Sequence, residues 1–309
     1  MSTDRPTWYT AEEIAARVSP DRARRLVAQV LVEGFDPATD PARISTPAGS
    51  GHLLLMPSTI AGWTGVKVAS VAPDNPARGL PRIQAVHVLQ DAATLTPRAL
   101  LDGSALTALR TPAVSAVAAD ALAPADAAHL VVFGTGPQAV GHAVALARVR
   151  ELRRVTVVGR SADKVRAVLH RLADLGPEAV AGTAADVAHA DVVVCATSAA
   201  EPLFDGSLVR DGACVVAIGS HETGRRELDT GLMGRSLVVV EDLATARREA
   251  GDVVLAQRDG ALPEEALVPL RDVVTGAVAR RDDVPNVFKG VGMSWQDLAV
   301  AVGVLETDR

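Results

Sequence analysis

The stretch Leu130–Arg160, LVVFGTGPQAVGHAVALARVRELRRVTVVGR, decides the fold. Its first four residues, Leu130 to Phe133, make an apolar run of the length of a buried parallel strand. A glycine turn follows, Gly134-Thr135-Gly136-Pro137-Gln138-Ala139, and then an Ala/Val-rich helical stretch. Strand, glycine turn and helix in that order form a phosphate cradle. Gly134 lets the chain turn tightly, Gly136 lets the backbone approach a pyrophosphate, and Ala139 in place of a third glycine keeps helix and strand close. Free N–H groups and the positive dipole end of the helix face the anion. The turn alone is unspecific, but Val155 to Val158 add a second apolar strand and complete a βαβ unit.

The residues at the tip of that second strand bear on the choice of dinucleotide. NAD sites usually place Asp or Glu there to accept from the ribose 2′-hydroxyl, whereas this chain has Gly159-Arg160-Ser161. A guanidinium and a hydroxyl suit a 2′-phosphate, so NADP(H) is the preferred expectation. The alternative is NAD(H), with Arg160 a solvated loop residue and Asp163 bending back to the ribose.

With 309 residues the chain is long enough for two domains, and 48% hydrophobic with 22% charged residues fits a globular protein. The net charge of −6 argues against a nucleic-acid or anionic-membrane surface. The polar, acidic N-terminus resembles no secretory signal and no apolar run reaches the ~18 residues needed to span a bilayer, so a cytoplasmic location is expected. Cys195 and Cys214 sit in apolar strand-like runs and read as buried reduced thiols. Seven scattered histidines offer no metal-ligand spacing, and no metal is expected.

Along the chain, Thr10 and Glu13 mark a capped helix start, and a second helix is predicted from Asp21 to about Glu33, ending at Gly34. Short strand candidates at Leu53 to Met56, Gly65 to Ser70 and Ile83 to Leu89 predict a mostly antiparallel sheet. An Ala-rich helix from Ser104 to Ala123 leads to the glycine turn. Further buried strands are predicted at Val192 to Ala196, Cys214 to Ile218 and Leu237 to Val240, giving at least five in a doubly wound parallel sheet. The stretch from Val287 reads as a loop, then as a helix starting at Ser294 with Asp297 in a capping-box position. The fold class is therefore α/β, a Rossmann-type doubly wound domain beside a smaller α+β domain.

Several stretches together resemble the ornithine cyclodeaminase/mu-crystallin family. They are Leu54-Leu55-Met56-Pro57, Gly65-Val66-Lys67, Asn75-Pro76 with Gly79-Leu80-Pro81, and Leu106-Thr107-Ala108-Leu109-Arg110-Thr111-Pro112-Ala113. The series continues through the glycine turn, Ala196-Thr197-Ser198 with Pro202, Ala217-Ile218-Gly219-Ser220 with Arg226-Glu227-Leu228-Asp229, and Phe288-Lys289-Gly290-Val291-Gly292. The resemblance covers nearly the whole chain. It implies a Rossmann domain at 116–287 and a smaller α+β domain at 1–115 and 288–309 for substrate binding and dimerisation, to which the last helix returns, a homodimer joined through the N-terminal sheets, and a nicotinamide cofactor facing a small amino or imino acid. It also implies that Arg43, Lys67 and Arg110 hold the substrate carboxylate, with Arg82 and Gln84 at or beside substrate-contact positions. Thr111, Gly134, Thr135, Gly136, Pro137, Gln138, Gly159, Arg160, Ser161, Ala196, Thr197, Ser198, Ile218, Gly219 and Ser220 fall on the cofactor side.

Two departures from the family's pattern bear on the substrate. The catalytic Asp of the cyclodeaminases corresponds to His221 here, and the carboxylate that receives ornithine's distal amine corresponds to Leu54. A buried ammonium without a carboxylate partner costs several kcal/mol, which disfavours ornithine. His221 either moves protons beside the nicotinamide or is a loop histidine on the rim. Arg82, where the cyclodeaminases have a small hydroxyl residue, suggests a different substrate, for example one with a second acidic group. The expected activity is hydride transfer between NAD(P)(H) and the C=N or C–N carbon of a small α-imino or α-amino acid, cyclic imines being natural candidates, with Lys67 or His221 supplying the proton. The alternatives are a lyase-type cyclodeaminase that uses NAD catalytically and releases ammonia, and a ligand-binding protein without turnover.

Overall fold

The protein is described by a computed structural model covering residues 5–308. The chain forms two compact units, Met1–Thr111 with Gly292–Arg309, and Pro112–Val291. It passes between them at 111/112 and 291/292, where the sequence placed the crossings at 115/116 and 287/288.

In the first unit a six-stranded sheet carries strands β1 (Thr7–Tyr9), β2 (Ile44–Ala48), β3 (Gly51–Ile60), β4 (Trp63–Val71), β5 (Ile83–Asp91) and β6 (Pro97–Asp102) in the order β1-β6-β5-β4-β3-β2. The two leading helices form as the caps dictate. Thr10 and Glu13 close a capping box on Ala11–Arg17, and Ser19 caps Pro20–Val32 with Pro20 in the first turn. β3 and β4 are longer than the apolar runs suggested, because Ala61 and Gly62 both take positive φ (45° and 83°) and close a tight hairpin. Pro47 sits in β2 at the sheet edge, where a missing N–H is tolerated.

The register of this sheet matters most. Met56 pairs with Lys67, Lys67 with His87 and His87 with Leu101, so four neighbouring strands line up one row of side chains on one face. That face is covered by the last helix, Ser294–Leu305, whose Trp295 is fully buried. The helix starts at Ser294 as expected, but Asp297 does not cap it. Gln296 accepts from the Met293 N–H at 3.3 Å, while Asp297 is buried with its carboxylate on Lys67. On the opposite face, Pro57, Val66, Val88, Leu100 and Trp8 share one row, and all stay partly exposed, Trp8 by 49%.

The second unit is an all-parallel sheet. Its strands are β7 (His129–Phe133), β8 (Arg154–Val158), β9 (Glu178–Ala181), β10 (Val192–Cys195), β11 (Cys214–Ala217), β12 (Leu237–Val240), β13 (Leu267–Pro269) and β14 (Asn286–Lys289), ordered β13-β12-β14-β11-β10-β7-β8-β9. At least five were expected, and eight form. The loop read at Val287 is corrected: β14 is an internal, fully buried strand between β11 and β12. Lys289 broke its apolar pattern, yet that ammonium lies 3.1 Å from Asp252 in a dry environment. Helix Pro137–Leu146 follows β7 through the glycine turn. His142 in that helix is buried, donates through Nδ1 to the Gln138 carbonyl at 2.7 Å and accepts through Nε2 from Ser115 Oγ at 2.9 Å. Burial holds it neutral, pushing its pKa down to about 4. Both cysteines are unbridged and buried, and burial raises both thiols, Cys214 to about 12, so neither is a nucleophile near neutral pH. Among the described residues no helix is long and apolar enough to cross a membrane.

Candidate active site

Each unit brings together one set of chemically distinctive residues. In the first, Lys67 on β4 points from the covered sheet face to the last helix, where its Nζ lies 2.6 Å from Asp297 Oδ2, with both side chains essentially buried. The same ammonium donates to Thr107 Oγ1 at 3.1 Å, and the Thr107 hydroxyl donates to the Gly103 carbonyl at 2.8 Å. Arg110, one helical turn beyond Thr107, places Nε 3.4 Å from Asp297 Oδ1 and donates from Nη1 to Gln296 Oε1 at 3.0 Å. Gly292 stands against that guanidinium. A Cβ there would come within 2.5 Å of Nη1, and the glycine's φ of +81° suits no other residue well. Arg43 donates to the Gly292 carbonyl at 3.4 Å and is half-buried.

The electrostatics follow from burial and pairing. Burial lowers the Lys67 pKa, which Asp297 partly restores and Arg110 lowers further, leaving it at about 8. Burial works against ionising Asp297, but Lys67 and then Arg110 outweigh it and hold the carboxyl below the usual range. His87, beside Lys67 in the sheet, is pushed to about 4 by burial and stays neutral. Two buried cations, Lys67 and Arg110, face one buried carboxylate, Asp297, so this trio carries a net positive charge. Such a cluster suits one small carboxylate.

In the second unit the glycine turn opens a cavity of about 700 Å³, lined by Gly134, Thr135, Gly136, Gly159, Arg160 and Thr197 among others. Gly134 takes φ +126°, and a Cβ on it would lie 2.4 Å from the Ala196 carbonyl, so only glycine fits. A Cβ on Gly136 would meet nothing within 4 Å, which leaves its backbone open to an incoming group. No side chain caps helix Pro137–Leu146; Pro137 has no N–H and the Ala139 N–H goes to the Gly136 carbonyl at 3.1 Å, so the first turn offers an anion the Gln138 amide and the positive end of the helix dipole. The turn thus fits a pyrophosphate. A neighbouring hollow is lined by Thr135, Arg160, Ser161 and Lys164, with Ser161 at the N-cap of helix Ala162–Leu172. Glu227 organises the loops after β10 and β11. One oxygen accepts from the Thr197 N–H and hydroxyl at 2.8 and 2.7 Å, the other from the Gly219 N–H at 2.7 Å. Gly219 has no room for a Cβ, which would sit 2.0 Å from the Thr197 carbonyl. Ser220 Oγ donates to the Arg225 carbonyl at 2.5 Å.

The structure gathers Lys67, Arg110 and, at the margin, Arg43. It leaves Arg82 and Gln84 exposed at the start of β5, outside the buried row, and Leu54 half-buried in β3. Thr111 donates to the Thr107 carbonyl at 2.8 Å. Gly134 through Gln138, Gly159 through Ser161, and Ala196 through Ser198 lie at the carboxyl ends of β7, β8 and β10, where an open parallel sheet binds its ligand. Ile218, Gly219 and Ser220 follow β11, and His221 is exposed beyond them. Sequence reasoning missed Asp297, His87, Thr107 and Lys164. The signal for Asp297 was present, because SWQDLAVAVGVL carries a single charge on a mostly apolar helix, and a helix buried nearly all round cannot leave it unpaired.

The sequence model of the Ornithine cyclodeaminase/mu-crystallin family matches residues 21–308. The Delta(1)-pyrroline-2-carboxylate/Delta(1)-piperideine-2-carboxylate reductase of Azospirillum brasilense is 36% identical over 302 residues, covering 95% of this chain and 93% of that one. The structure of Thermococcus litoralis Delta(1)-pyrroline-2-carboxylate reductase in complex with NADH and L-proline superposes with a TM-score of 0.92 at 27% identity, covering 97% of each chain. An archaeal alanine dehydrogenase dimer with bound NAD gives 0.92 at 28%, covering 98% of this chain and 95% of the other.

Proposed function

This chain belongs to the ornithine cyclodeaminase/mu-crystallin family, and we propose that its substrates are small cyclic α-imino acids carrying a single carboxylate, of the pyrroline-2-carboxylate and piperideine-2-carboxylate type. The protein is an NAD(P)-dependent oxidoreductase acting at the C=N or C–N carbon of a small imino or amino acid. The observation that carries the choice of substrate is the buried pair of cations, Lys67 and Arg110, balanced by one carboxylate. No carboxylate stands at Leu54 or His221 to receive a second, cationic end, which speaks against ornithine.

When bound, the reduced nicotinamide supplies a hydride. Gly134, Gly136 and the first turn of helix Pro137–Leu146 would hold the pyrophosphate, while Thr197 and Gly219, braced by Glu227, would shape the far end of the site. Arg110 and Arg43 bind and orient the substrate carboxylate, and Lys67 delivers a proton to the ring nitrogen. The test is reduced nicotinamide consumption with a panel of cyclic imino acids between pH 6 and 8. Turnover of the cyclic imines with formation of the cyclic amino acid is expected. Ammonia release from ornithine at constant nicotinamide absorbance would instead establish the lyase.

The cofactor is proposed to be NADP(H), because Arg160, Ser161 and Lys164 line one hollow and no carboxylate lines it. Charge-assisted hydrogen bonds of this kind are worth about 1.5–3 kcal/mol each, about 10- to 100-fold in affinity. Arg160→Ser should therefore raise the Kd for NADPH by about that factor and leave the Kd for NADH within about twofold. Equal effects on both cofactors would remove the 2′-phosphate assignment. A homodimer through the half-exposed row Trp8, Leu100, Val88, Val66 and Pro57 is the proposed assembly, since that sheet face is apolar and only partly covered within one chain. Sedimentation should give twice the chain mass, and Val88→Lys should give the monomer; a wild-type monomer would refute it.

A further inference from the structure

Lys67 is held more firmly than a residue that only binds a carboxylate requires. An ammonium has three N–H donors. One goes to Asp297 Oδ2 at 2.6 Å and one to Thr107 Oγ1 at 3.1 Å, which leaves a single N–H for a substrate. Asp297 reaches it as the one charged residue of the helix Ser294–Leu305, and has no exposure. Burying that carboxylate is costly unless its pairing serves something. If the cluster existed only to bind an anion, a carboxylate within it would oppose the task, since it repels the incoming acid.

Building on the reductase reading above, we propose that Asp297 is a positioning residue for proton delivery: it fixes the direction of the third Lys67 N–H and keeps the ammonium charged until the imine nitrogen takes its proton. In that step the C=N π bond breaks. The hydride, which the reduced nicotinamide would supply and in doing so be oxidised, brings its electron pair to carbon; the π pair goes to nitrogen, which takes the proton from Lys67 Nζ. Lys67 is left neutral and is recharged by solvent water. The charged and titratable groups facing Lys67 are Asp297 from the last helix, Arg110 from helix Gly103–Leu122, His87 from β5 and Arg43 from the segment before β2. Of these only Asp297 favours the protonated form. Arg110 and Arg43 oppose it, and neutral His87 adds no charge. The rate must therefore fall as pH rises through the Lys67 pKa of about 8, and removing Asp297 must move that fall to lower pH.

The test combines kinetics with a readout independent of turnover. Asp297→Asn keeps the shape and an oxygen for Lys67 but loses the charge. It should lower kcat at least about tenfold, with a smaller change in KM, and shift the alkaline limb of the kcat profile down by about one pH unit or more. NMR titration of carbon-13-labelled lysine should show the Lys67 midpoint moving by the same amount. In the wild-type protein, which needs no variant to fold, the Asp297 carboxyl signal should respond at the Lys67 midpoint. An unmoved alkaline limb and Lys67 midpoint in Asp297→Asn, or an Asp297 signal flat through that midpoint, would overturn the proposal. Wild-type protein that consumes no reduced nicotinamide on any imine sinks the reductase reading alone, and the coupling of the two NMR signals still decides for or against the pair.

Discussion

Lys67→Met is expected to lower kcat/KM for a cyclic imino acid by about 10³-fold, within the range in which loss of a positioned general acid is felt. The variant removes the proton and one of the two buried cations, while the thioether fills much the same volume. NADPH affinity should stay within about twofold, because the glycine turn and its loops belong to the other compact unit. The substitution also strips Asp297 of its 2.6 Å partner and leaves only the Arg110 contact at 3.4 Å. An unpaired buried carboxylate costs about 3–5 kcal/mol, so the single variant should melt well below the wild type. Adding Asp297→Asn should recover much of that stability without recovering activity. Recovery of both would show that Lys67 acts only by holding the fold, and steady-state kinetics beside thermal denaturation distinguish the two outcomes.

Gly134→Val is expected to abolish cofactor binding, with the Kd for NADPH rising at least about 100-fold. At φ +126° a β-branched residue is strained by itself, and its Cβ would be driven to 2.4 Å from the Ala196 carbonyl. The turn must then move away from the end of β10, taking with it the amides at the start of helix Pro137–Leu146. Protein fluorescence or calorimetry with NADPH reads the effect directly. Gly136→Ala serves as the contrast: its Cβ would meet no protein atom, so the fold should be unaffected, while a bound pyrophosphate would feel the added methyl. Retained tight binding in Gly134→Val would mean that the phosphates lie elsewhere.

Most of the α/β architecture was legible because it is written in local periodicity. The apolar runs at Leu130, Val155, Val192, Cys214 and Leu237 each became a strand of the parallel sheet, and the Thr10 and Ser294 helix starts hold within a residue. The strands that escaped were those whose local pattern was interrupted. β9 is short and half-exposed, and β14 ends on the buried Lys289. Within the site, Lys67 and Arg110 were legible through the family resemblance and the glycine turn through its spacing. Asp297 reads as a cap because three residues separate it from Ser294, and nothing nearby in the chain reveals what its carboxylate touches.

From the order of residues alone came the βαβ unit, the tight turn that only Gly134 permits and the apolar face of each strand, since these depend on neighbours a few positions away. The folded molecule alone decided that Asp297 answers Lys67 across 230 positions of sequence, that His87 lies beside them as a neutral ring, and that Lys289 is sheltered by Asp252 inside a sheet. The reason is physical. A buried charge is tolerated only where strand register and helix packing bring it an opposite charge, and that pairing is set by three-dimensional proximity, which local spacing does not record.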